Sequence, residues 1–486
     1  MRILFSHSYF MPFDPKQWAL GQPYPPLGTI LAAAVLREAG HDVFLFDSQF
    51  SSSAEEAAPY FEKYQPDIFV VYDDGFNYLT KMCLTNMREA AFRMQEMAKE
   101  KGCIVITSSS DSADHYEKYL DHKADIIIRG EAEMALLELV NKIAAKESFA
   151  NTEGIVFRSP EKTIVTAKRS VMKELDTLPL PAWDLIDGEK YRSVWMSHNG
   201  YFSLNMATTR GCPYKCNWCA KPIYGNRYNT RSPEKVVDEL LVLKEKFRYD
   251  HIWFCDDIFG LKPGWVKRFA DYAEEKNLSL HYKIQSRADL LLQETNIADL
   301  ARSGCETVWM GAESGSQKIL DAMDKGTKVG QIREATRLLK KHGIRPAFFL
   351  QFGYPGETVE DIRSTIDLLN ELLPEDIGIS VSYPLPGTKF YEQVKAELSG
   401  KQNWTDSDDL ALMFRNAYPP EFYRQLHRYV HRNYRKHQGY ESLKRFFLSP
   451  QRLRRADFRR AASVAYYIPA VFMEERRLKK IENGWR

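Results

Sequence analysis

Short apolar runs alternate with amphipathic helical stretches over the first 145 residues of this 486-residue chain. Helices are predicted between the runs, for example over Leu27–Ala39 and Leu79–Lys101. Strands joined by helical crossovers predict a parallel sheet covered on both faces, a doubly wound, flavodoxin-like α/β domain over residues 1–145. The five predicted strands are Ile3–Ser6, Val43–Asp47, Ile68–Tyr72, Ile104–Thr107 and Asp125–Arg129.

A doubly wound sheet binds ligands beyond the carboxyl ends of its strands. No G-x-G-x-x-G sequence follows the first strand, so the usual signal of a dinucleotide site is missing. The loops expected to form the site are Ser6–Gly28, Asp73–Asn77, Ser108–Asp111 and Gly130–Glu131.

The alternation breaks between residues 146 and 200, which predicts a linker. Gly154–Arg158 and Thr163–Thr166 are typical of a short hairpin, and the proline-rich stretch Leu178–Trp183 is typical of a stiff crossing segment.

Three of the seven cysteines lie within eight residues, at Cys212, Cys216 and Cys219. Three thiolates with C-x3-C-x2-C spacing can bind one face of a 4Fe-4S cubane and leave its fourth iron open. Structural zinc is the alternative, but it needs a fourth ligand, and neither Cys255 nor Cys305 has a partner at zinc-site spacing. The sparse, odd cysteine set does not resemble a secreted disulfide framework.

The cysteine spacing, with Trp218 just before the third cysteine, resembles the radical S-adenosylmethionine (radical SAM) superfamily. The resemblance implies a 4Fe-4S cluster on the three cysteines and S-adenosylmethionine (SAM) on the open iron. One electron, from a donor such as flavodoxin or ferredoxin, then cleaves SAM to methionine and a 5′-deoxyadenosyl radical. The protein positions the reactants and excludes water.

The residues around and after the cysteines predict six repeats of strand and helix. They indicate a partial (β/α)6 barrel over residues 201–395, with its chemistry at the carboxyl ends of the strands. The predicted strands are Phe202–Thr208, His251–Cys255, Leu280–Gln285, Thr307–Gly311, Arg345–Gly353 and Ile377–Ser382, and the helices include Pro233–Phe247, Ile297–Ser303 and Val359–Leu373.

Polar and glycine-rich motifs follow the predicted strands at this rim. Each has a structural alternative, because aspartate, glutamate or threonine can cap a helix, and Arg287 or Glu313 can form an ion pair. By resemblance, Asp256 or Asp257 faces the amino group of SAM, Glu313 and Ser314 meet its ribose or carboxylate, and Gly353 and Pro355 shape the adenine wall. Arg287 joins this SAM set. Tyr354 and Tyr383 are weak catalytic candidates, because tyrosines are also common in cores.

The first domain resembles the cobalamin-binding domain that precedes many radical SAM enzymes, through Pro25–Gly28, Gly40–Val43 and Ala124–Glu133. The resemblance implies cobalamin contacts from Leu27, Gly28, Asp73, Ser108, Ser109 and Glu131. The sequence departs from the family in two places. No D-x-H-x-x-G follows the first strand, so no histidine ligand to cobalt is expected, and Thr107–Ser110 replaces a glycine pair.

Together the two resemblances imply methylation of an unreactive carbon of a small-molecule or lipid-like substrate. The subgroup resembled includes anaerobic magnesium-protoporphyrin monomethyl ester cyclase and hopanoid-modifying enzymes, so radical cyclisation, rearrangement or hydroxylation stays an alternative. A non-enzymatic cobalamin sensor or carrier is another. A methylthiotransferase needs a second cluster, and only Cys83 and Cys103 are left in the N-terminal region.

The net charge of +2 conceals two unlike parts. Residues 415–486 carry 18 Lys and Arg against 6 Asp and Glu, whereas the rest of the chain is net acidic. The predicted helical region 396–486 includes Tyr423–Lys436, Arg452–Arg460 and the apolar run Ala461–Met473, which is too short to span a bilayer. This region either caps the acidic body or contacts a membrane surface.

No targeting signal or spanning segment is evident, which predicts a cytoplasmic protein with peripheral membrane contact left open. Nucleic-acid binding is not favoured, because no recognisable module is present.

Overall fold

The computed structural model describes residues 1–73, 75–76, 84–219, 221, 223–398, 403–407, 410, 412–448, 451 and 455–485. Residues 79–83 of the predicted helix over 79–101, Cys83, part of the 73–77 loop and residues 452–454 lie outside this part of the chain.

The N-terminal sheet has five parallel strands in the order β2-β1-β3-β4-β5, which confirms the flavodoxin-like prediction. Its central strand β3 is buried along its whole length, as expected when helices cover both faces. The strands are β1 (Arg2–Ser6), β2 (Asp42–Phe46), β3 (Ile68–Tyr72), β4 (Ile104–Ser108) and β5 (Ile126–Ile128).

The hairpin expected inside the linker is present, but it belongs to this sheet. Strand β6 (Ile155–Arg158) pairs antiparallel with β5, and β7 (Thr163–Val165) pairs antiparallel with β6. Ile155 and Val156 are fully buried, because the hairpin extends the sheet to seven strands. The regular first sheet therefore continues to residue 165, beyond the boundary at 145 that the sequence suggested.

The second sheet has six parallel strands in the order β15-β14-β13-β12-β11-β8 and forms the predicted half barrel. Two further strands of two residues each pair antiparallel, one on either side of the cysteine loop. The strands are β8 (Ser203–Met206), β9 (Thr209–Arg210), β10 (Asn229–Thr230), β11 (His251–Phe254), β12 (Tyr282–Ser286), β13 (Cys305–Glu313), β14 (Arg345–Phe352) and β15 (Asp376–Val381).

Amphipathic α-helices cover the outer faces of both sheets and bury their apolar sides. Those of the first 200 residues are α1 (Pro15–Leu20), α2 (Leu27–Glu38), α3 (Ala58–Tyr64), α4 (Thr85–Glu100), α5 (Ser110–Asp114), α6 (Tyr116–Asp121), α7 (Glu133–Ala144) and α8 (Gly188–Asn199). The barrel region adds α9 (Pro233–Phe247), α10 (Trp265–Glu275), α11 (Glu294–Arg302), α12 (Gln317–Ala322), α13 (Val329–Lys341), α14 (Val359–Leu372) and α15 (Lys389–Val394).

The C-terminal region forms a pair of long packed helices, α16 (Pro420–Leu448) and α17 (Arg455–Trp485). The pair is fixed to the barrel by Tyr434, whose hydroxyl donates to the Pro374 carbonyl at 2.8 Å, and by an Arg460–Glu375 ion pair of 2.8 Å. Among the described residues, no helix is long and apolar enough to cross a membrane.

Candidate functional site

The loop that carries Cys212, Cys216 and Cys219 lies at the carboxyl end of the barrel sheet. Asn217 fixes its centre, because its amide nitrogen donates to the Ala322 carbonyl at 2.6 Å and its backbone N–H donates to Met323 at 3.0 Å. The Tyr354 hydroxyl lies 2.9 Å from Asn217 Oδ1 and 3.1 Å from the Ala322 carbonyl. These contacts make Tyr354 a residue that positions the loop.

Cationic side chains surround the cysteines. Arg287 is buried, and its Nη1 lies 3.8 Å from the Cys216 sulfur while its guanidinium stacks 3.7 Å above the Tyr214 ring. Burial raises the pKa of Cys219 to about 12 and also raises that of Cys212, so nearby positive charge is needed to favour the thiolates. Arg287 therefore contacts the cysteine loop and places a positive charge beside it.

A buried ion pair joins Glu313 to Lys325, with 2.7 Å between Oε1 and Nζ. Burial alone would lower the pKa of Lys325, yet Glu313 and Cys216 together hold it above its usual value. A Cβ at Gly311 would lie 2.6 Å from both charged atoms, so only glycine allows the pair to lie there. Glu313 has φ of +60°, a strained conformation that is common at functional sites.

Lys325 was not among the residues singled out from the sequence. It lies in the turn after α12, outside every strand-end motif, and its place became evident only from its contacts with Glu313 and the cysteine loop. The lysine and Arg287 are connected, because Arg287 Nη2 donates to the Lys325 carbonyl at 2.8 Å.

The structure separates the two adjacent aspartates. Asp256 is buried and accepts four hydrogen bonds of 2.7–2.9 Å, from the backbone N–H and the hydroxyl of both Thr208 and Thr209. Burial raises the pKa of Asp256 to about 6, although the four donors oppose the rise. Asp257 is exposed and lies close enough to Cys212 and Cys219 to raise their pKa values. Asp256 thus holds the strand that enters the loop, and Asp257 is left as the candidate for SAM.

The other residues at the rim of the barrel also differ in their burial and in their contacts. Ser314 is fully buried and its hydroxyl lies 3.1 Å from the Thr365 hydroxyl, whereas its contact with SAM stays a prediction. Gly353 donates its N–H to Glu357 at 2.6 Å, while Pro355 next to this turn is half-buried. Burial raises the pKa of Glu357 to about 8.

Tyr383, the second catalytic candidate, is buried and contacts the Trp404 ring edge-to-face at 4.5 Å. This contact favours a packing role.

Three residues predicted to meet cobalamin lie at the carboxyl edge of the first sheet. Leu27 and Gly28 begin α2 and are buried. Asp73 follows β3 and accepts from the backbone N–H and the hydroxyl of Ser8 at 2.7 and 2.8 Å, and burial raises its pKa. Leu27 lines an apolar cavity together with Phe76 of the first domain and Met206 of the barrel.

The serines that replace the family's glycine pair contribute to the local structure of the first domain. Ser109 caps α5 through a reciprocal hydrogen-bond pair with Ser112, at 2.8 and 2.9 Å, and Ser108 is buried at the end of β4. The nearby His7 is buried against Asp47, with 2.9 Å between Nε2 and Oδ1.

Glu131 has a charged partner within the protein. Its carboxylate pairs with Arg210, the residue two positions before Cys212, and also accepts from the Met172 backbone N–H. Glu133 pairs with the same guanidinium at 2.8 Å, and all three charged side chains are buried. Glu131 therefore belongs to a contact between the domains, which joins the edge of the first sheet to the start of the cysteine loop.

The side chains on and around the cysteine loop fit the expected 4Fe-4S cluster. Three cysteines occupy one loop beside Arg287 and Lys325, and the Trp218 Nε1 atom is buried without a hydrogen-bond partner among the described residues. Within the same described ranges, no three His, Cys, Asp or Glu side chains are arranged around a single ion. A cubane differs from a single ion because it takes thiolates at several irons.

In comparison with known proteins, residues 206–369 match the family model of the radical SAM superfamily. The chain is 27% identical over 395 residues to an uncharacterized methyltransferase of Pyrococcus horikoshii, covering 79% of this chain and 82% of that protein. It is 26% identical over 405 residues to the anaerobic magnesium-protoporphyrin IX monomethyl ester cyclase of a Synechocystis strain, covering 80% and 77%.

Among solved structures, the cobalamin-dependent SAM radical enzyme OxsB with aqua-cobalamin bound matches with a TM-score of 0.76 and 16% identity, covering 97% of this chain and 72% of that one. This likeness extends the agreement in fold to both sheets and the C-terminal helices. Residues 206–369 therefore match the radical SAM superfamily model, and the chain as a whole has the fold of that cobalamin-dependent enzyme.

Proposed function

We propose that the chain is a cobalamin-dependent radical SAM enzyme that methylates an unreactive carbon of a small-molecule substrate. The observation that carries the proposal is the Arg210 ion pair. It brings the carboxyl edge of the cobalamin-type sheet against the cysteine loop of the barrel, so both cofactors would face one junction. When bound, the cluster would supply the electron that cleaves SAM, and cobalamin would carry the methyl group.

The chain's own residues hold and orient these groups. Cys212, Cys216 and Cys219 would hold the cluster, and Arg287 and Lys325 place positive charge beside it. Asp257 would accept from the amino group of SAM, whereas Glu313 is held near the loop by Lys325. A flavodoxin or ferredoxin is the class of electron donor we expect.

Methyl transfer can be tested with SAM that carries deuterium in its methyl group. The reconstituted protein is incubated anaerobically with a reductant, with and without added cobalamin, and candidate products are analysed by mass spectrometry. Appearance of the label in a product only when cobalamin is present supports methylation. The cyclase relative favours one second candidate, oxidative ring formation, which would give an unlabelled product under the same conditions.

We also propose that the α16–α17 pair contacts an anionic membrane surface, where a lipid-like substrate would be met. Phe447 and Leu448 at the end of α16 are 83% and 77% exposed, and Phe458, Phe472 and Met473 on α17 are also exposed. The acidic residues Asp457 and Glu474 instead face inward, where they pair with Arg445 and Arg432. Glu421, Glu441 and Glu475 are accessible, but each pairs with a neighbouring basic side chain. On balance the surface is apolar and basic, which suits an anionic interface.

Vesicle co-sedimentation tests this contact. We expect the protein to sediment with phosphatidylcholine vesicles that contain phosphatidylglycerol, and less with phosphatidylcholine alone. The F447S/L448S variant should lose most of this binding, while L20S, which changes a leucine that is 48% exposed on the first domain, should keep it. Equal binding by both variants would contradict the proposed surface.

A further inference from the structure

The concave face of the barrel sheet carries polar and aromatic side chains that the proposed cofactor contacts do not use. Trp253 is in register with Lys283 across β11 and β12, and Gln285 is in register with Trp309 across β12 and β13. Registered residues of neighbouring strands point to the same side of a sheet. All four are only half-buried, whereas alternate residues such as Ile284 are packed beneath the outer helices.

An aromatic pair lies in the middle of this face. The Trp309 and Phe349 rings stack with centroids 4.7 Å apart and planes 26° apart, and Phe349 is 37% exposed. Gly378 lies opposite Phe349 on β15, and a Cβ there would come within 3.2 Å of the Phe349 ring and 3.4 Å of the Trp309 ring. The missing side chain leaves the aromatic surface uncovered, so a large apolar ring surface faces the interior of an open half barrel.

A lysine without an anionic partner lies next to the aromatic pair. The Lys283 ammonium lies 5.3 Å from the Trp253 ring centre and 5.5 Å from that of Tyr24, and no described residue forms a hydrogen bond or ion pair with it. Burial lowers the pKa of Lys283, although Tyr201 and Asp376 oppose that effect. A desolvated ammonium that no described residue pairs with directly gains free energy when an anion pairs with it.

One side of the face is closed and the other is open. Tyr24, from the first domain, packs against Trp253 at 4.7 Å, and its hydroxyl lies 3.4 Å from that of Ser203. On the opposite side, Phe349 and Ser380 are exposed along β14 and β15. A ligand can therefore reach the aromatic pair from the β15 side.

The face also lies close to the cysteine loop. Phe349 is in register with Gly311, the residue against which the Glu313–Lys325 pair packs. The aromatic pair is thus one level below the charged groups that surround the cysteines.

We propose that this concave face binds the substrate, and that the substrate is a flat apolar ring system with a carboxylate or a similar anionic group. The ring stacks on Phe349 and Trp309, and the anion pairs with Lys283. From the strand spacings, the Cα atoms of Lys283 and Trp309 are about 8 Å apart, so the anion projects from the edge of the ring. The assignment rests on the proposed function, because it takes the molecule bound on this face to be the substrate of that reaction.

Binding can be measured without turnover on the full-length, cluster-reconstituted protein under anaerobic conditions. The probe is 1-pyrenebutyrate, a flat ring with a carboxylate, followed by its fluorescence. Its neutral counterpart 1-pyrenebutanol tests the anion, and laurate, a carboxylate without a ring, is used as a competitor. Iron content and SAM affinity are measured for each variant to show that the fold and the cysteine loop are intact.

We expect pyrenebutyrate to bind saturably and laurate to compete poorly. K283M should raise its Kd about tenfold and leave that of pyrenebutanol within about twofold, whereas W309L and F349L should raise both about tenfold. W18L, which changes a tryptophan that is 46% exposed on the first domain, should alter neither.

Three results would overturn the assignment: no saturable pyrenebutyrate binding, equal loss of both probes in K283M, or a matching loss of SAM affinity in W309L, which would give the aromatic pair to SAM. Failure here is distinguishable from failure of the proposed function. A chain that cleaves SAM without binding the probe contradicts only the substrate site, and a chain that binds the probe without cleaving SAM contradicts only the reaction.

Discussion

At the scale of single residues, adjacent carboxylates have different roles because their surroundings differ. Asp256 has four donors from Thr208 and Thr209, while Asp257 is exposed near the cysteines. Asp256 therefore stabilises the strand before the loop, and Asp257 is the one of the two that lies at the surface near the cysteines.

Exchanging each aspartate for asparagine separates these roles. D256N replaces one carboxylate oxygen with an NH2 group, which cannot accept hydrogen bonds from Thr208 and Thr209. This change should lower the unfolding free energy by about 1–3 kcal/mol and reduce the amount of iron that the protein retains. D257N should lower thermal stability less than D256N does and raise the SAM concentration for half-maximal cleavage about tenfold. Thermal denaturation and SAM titration provide the two measurements, and the reverse pattern would show that the roles are exchanged.

Glu357 gives a prediction about pH. Its pKa is raised by burial to about 8, so above the ordinary carboxyl pKa the folded state binds more protons than the unfolded state. The stabilising contribution of the protonated carboxyl is complete below about pH 4.5 and is lost as the pH rises toward 8. E357Q keeps an acceptor for the Gly353 N–H, and its unfolding free energy should fall less between pH 5 and 8 than that of the wild type. Urea denaturation measures the unfolding free energy at each pH. The same dependence on pH for E357Q and the wild type would contradict the prediction.

The residue scale also shows the limits of motif-based prediction. The three cysteines follow from spacing alone, but Lys325 lies in an ordinary turn and is recognisable only through its contact with Glu313. The contact of Glu131 with cobalamin stays a prediction. The structure adds a partner that a position at a strand end does not reveal, because Arg210 of the other domain pairs with this carboxylate.

At the scale of elements, periodicity was sufficient for most of the architecture. Strand β3 and helix α9 begin and end at the predicted residues, because each is a clean apolar or amphipathic segment between turn residues. The β6–β7 hairpin was recognised but not its pairing with β5, since antiparallel addition to a parallel sheet leaves no periodic signal. The domain boundaries at 145, 200 and 395 stay predictions.

The contact between β9 and the start of α7 gives a prediction at this scale. R210L would leave the Glu131 and Glu133 carboxylates buried without their cation, and should cost about 3–5 kcal/mol of unfolding free energy. R333L removes an exposed pair with Glu371 and should cost less than about 1 kcal/mol. Urea denaturation compares them, and equal losses would show that Arg210 does not join the domains energetically.

At the scale of the whole molecule, the parallel strands of the two sheets meet near their carboxyl edges, and a basic helical pair covers one side of the barrel. The Arg210 contact joins the edge of one sheet to the cysteine loop of the other. This arrangement places a doubly wound domain beside the half barrel that carries the cysteine loop, and it leaves the concave barrel face open on the β15 side.

The most direct test of the central claim is SAM cleavage by the full-length protein. The cluster is reconstituted without oxygen, a reductant and SAM are added, and 5′-deoxyadenosine is quantified for the wild type and for Cys216→Ala. We predict that the wild type forms 5′-deoxyadenosine and that Cys216→Ala forms none. Full activity in Cys216→Ala, or no cleavage by a wild type with an intact cluster under any reductant, would contradict the account.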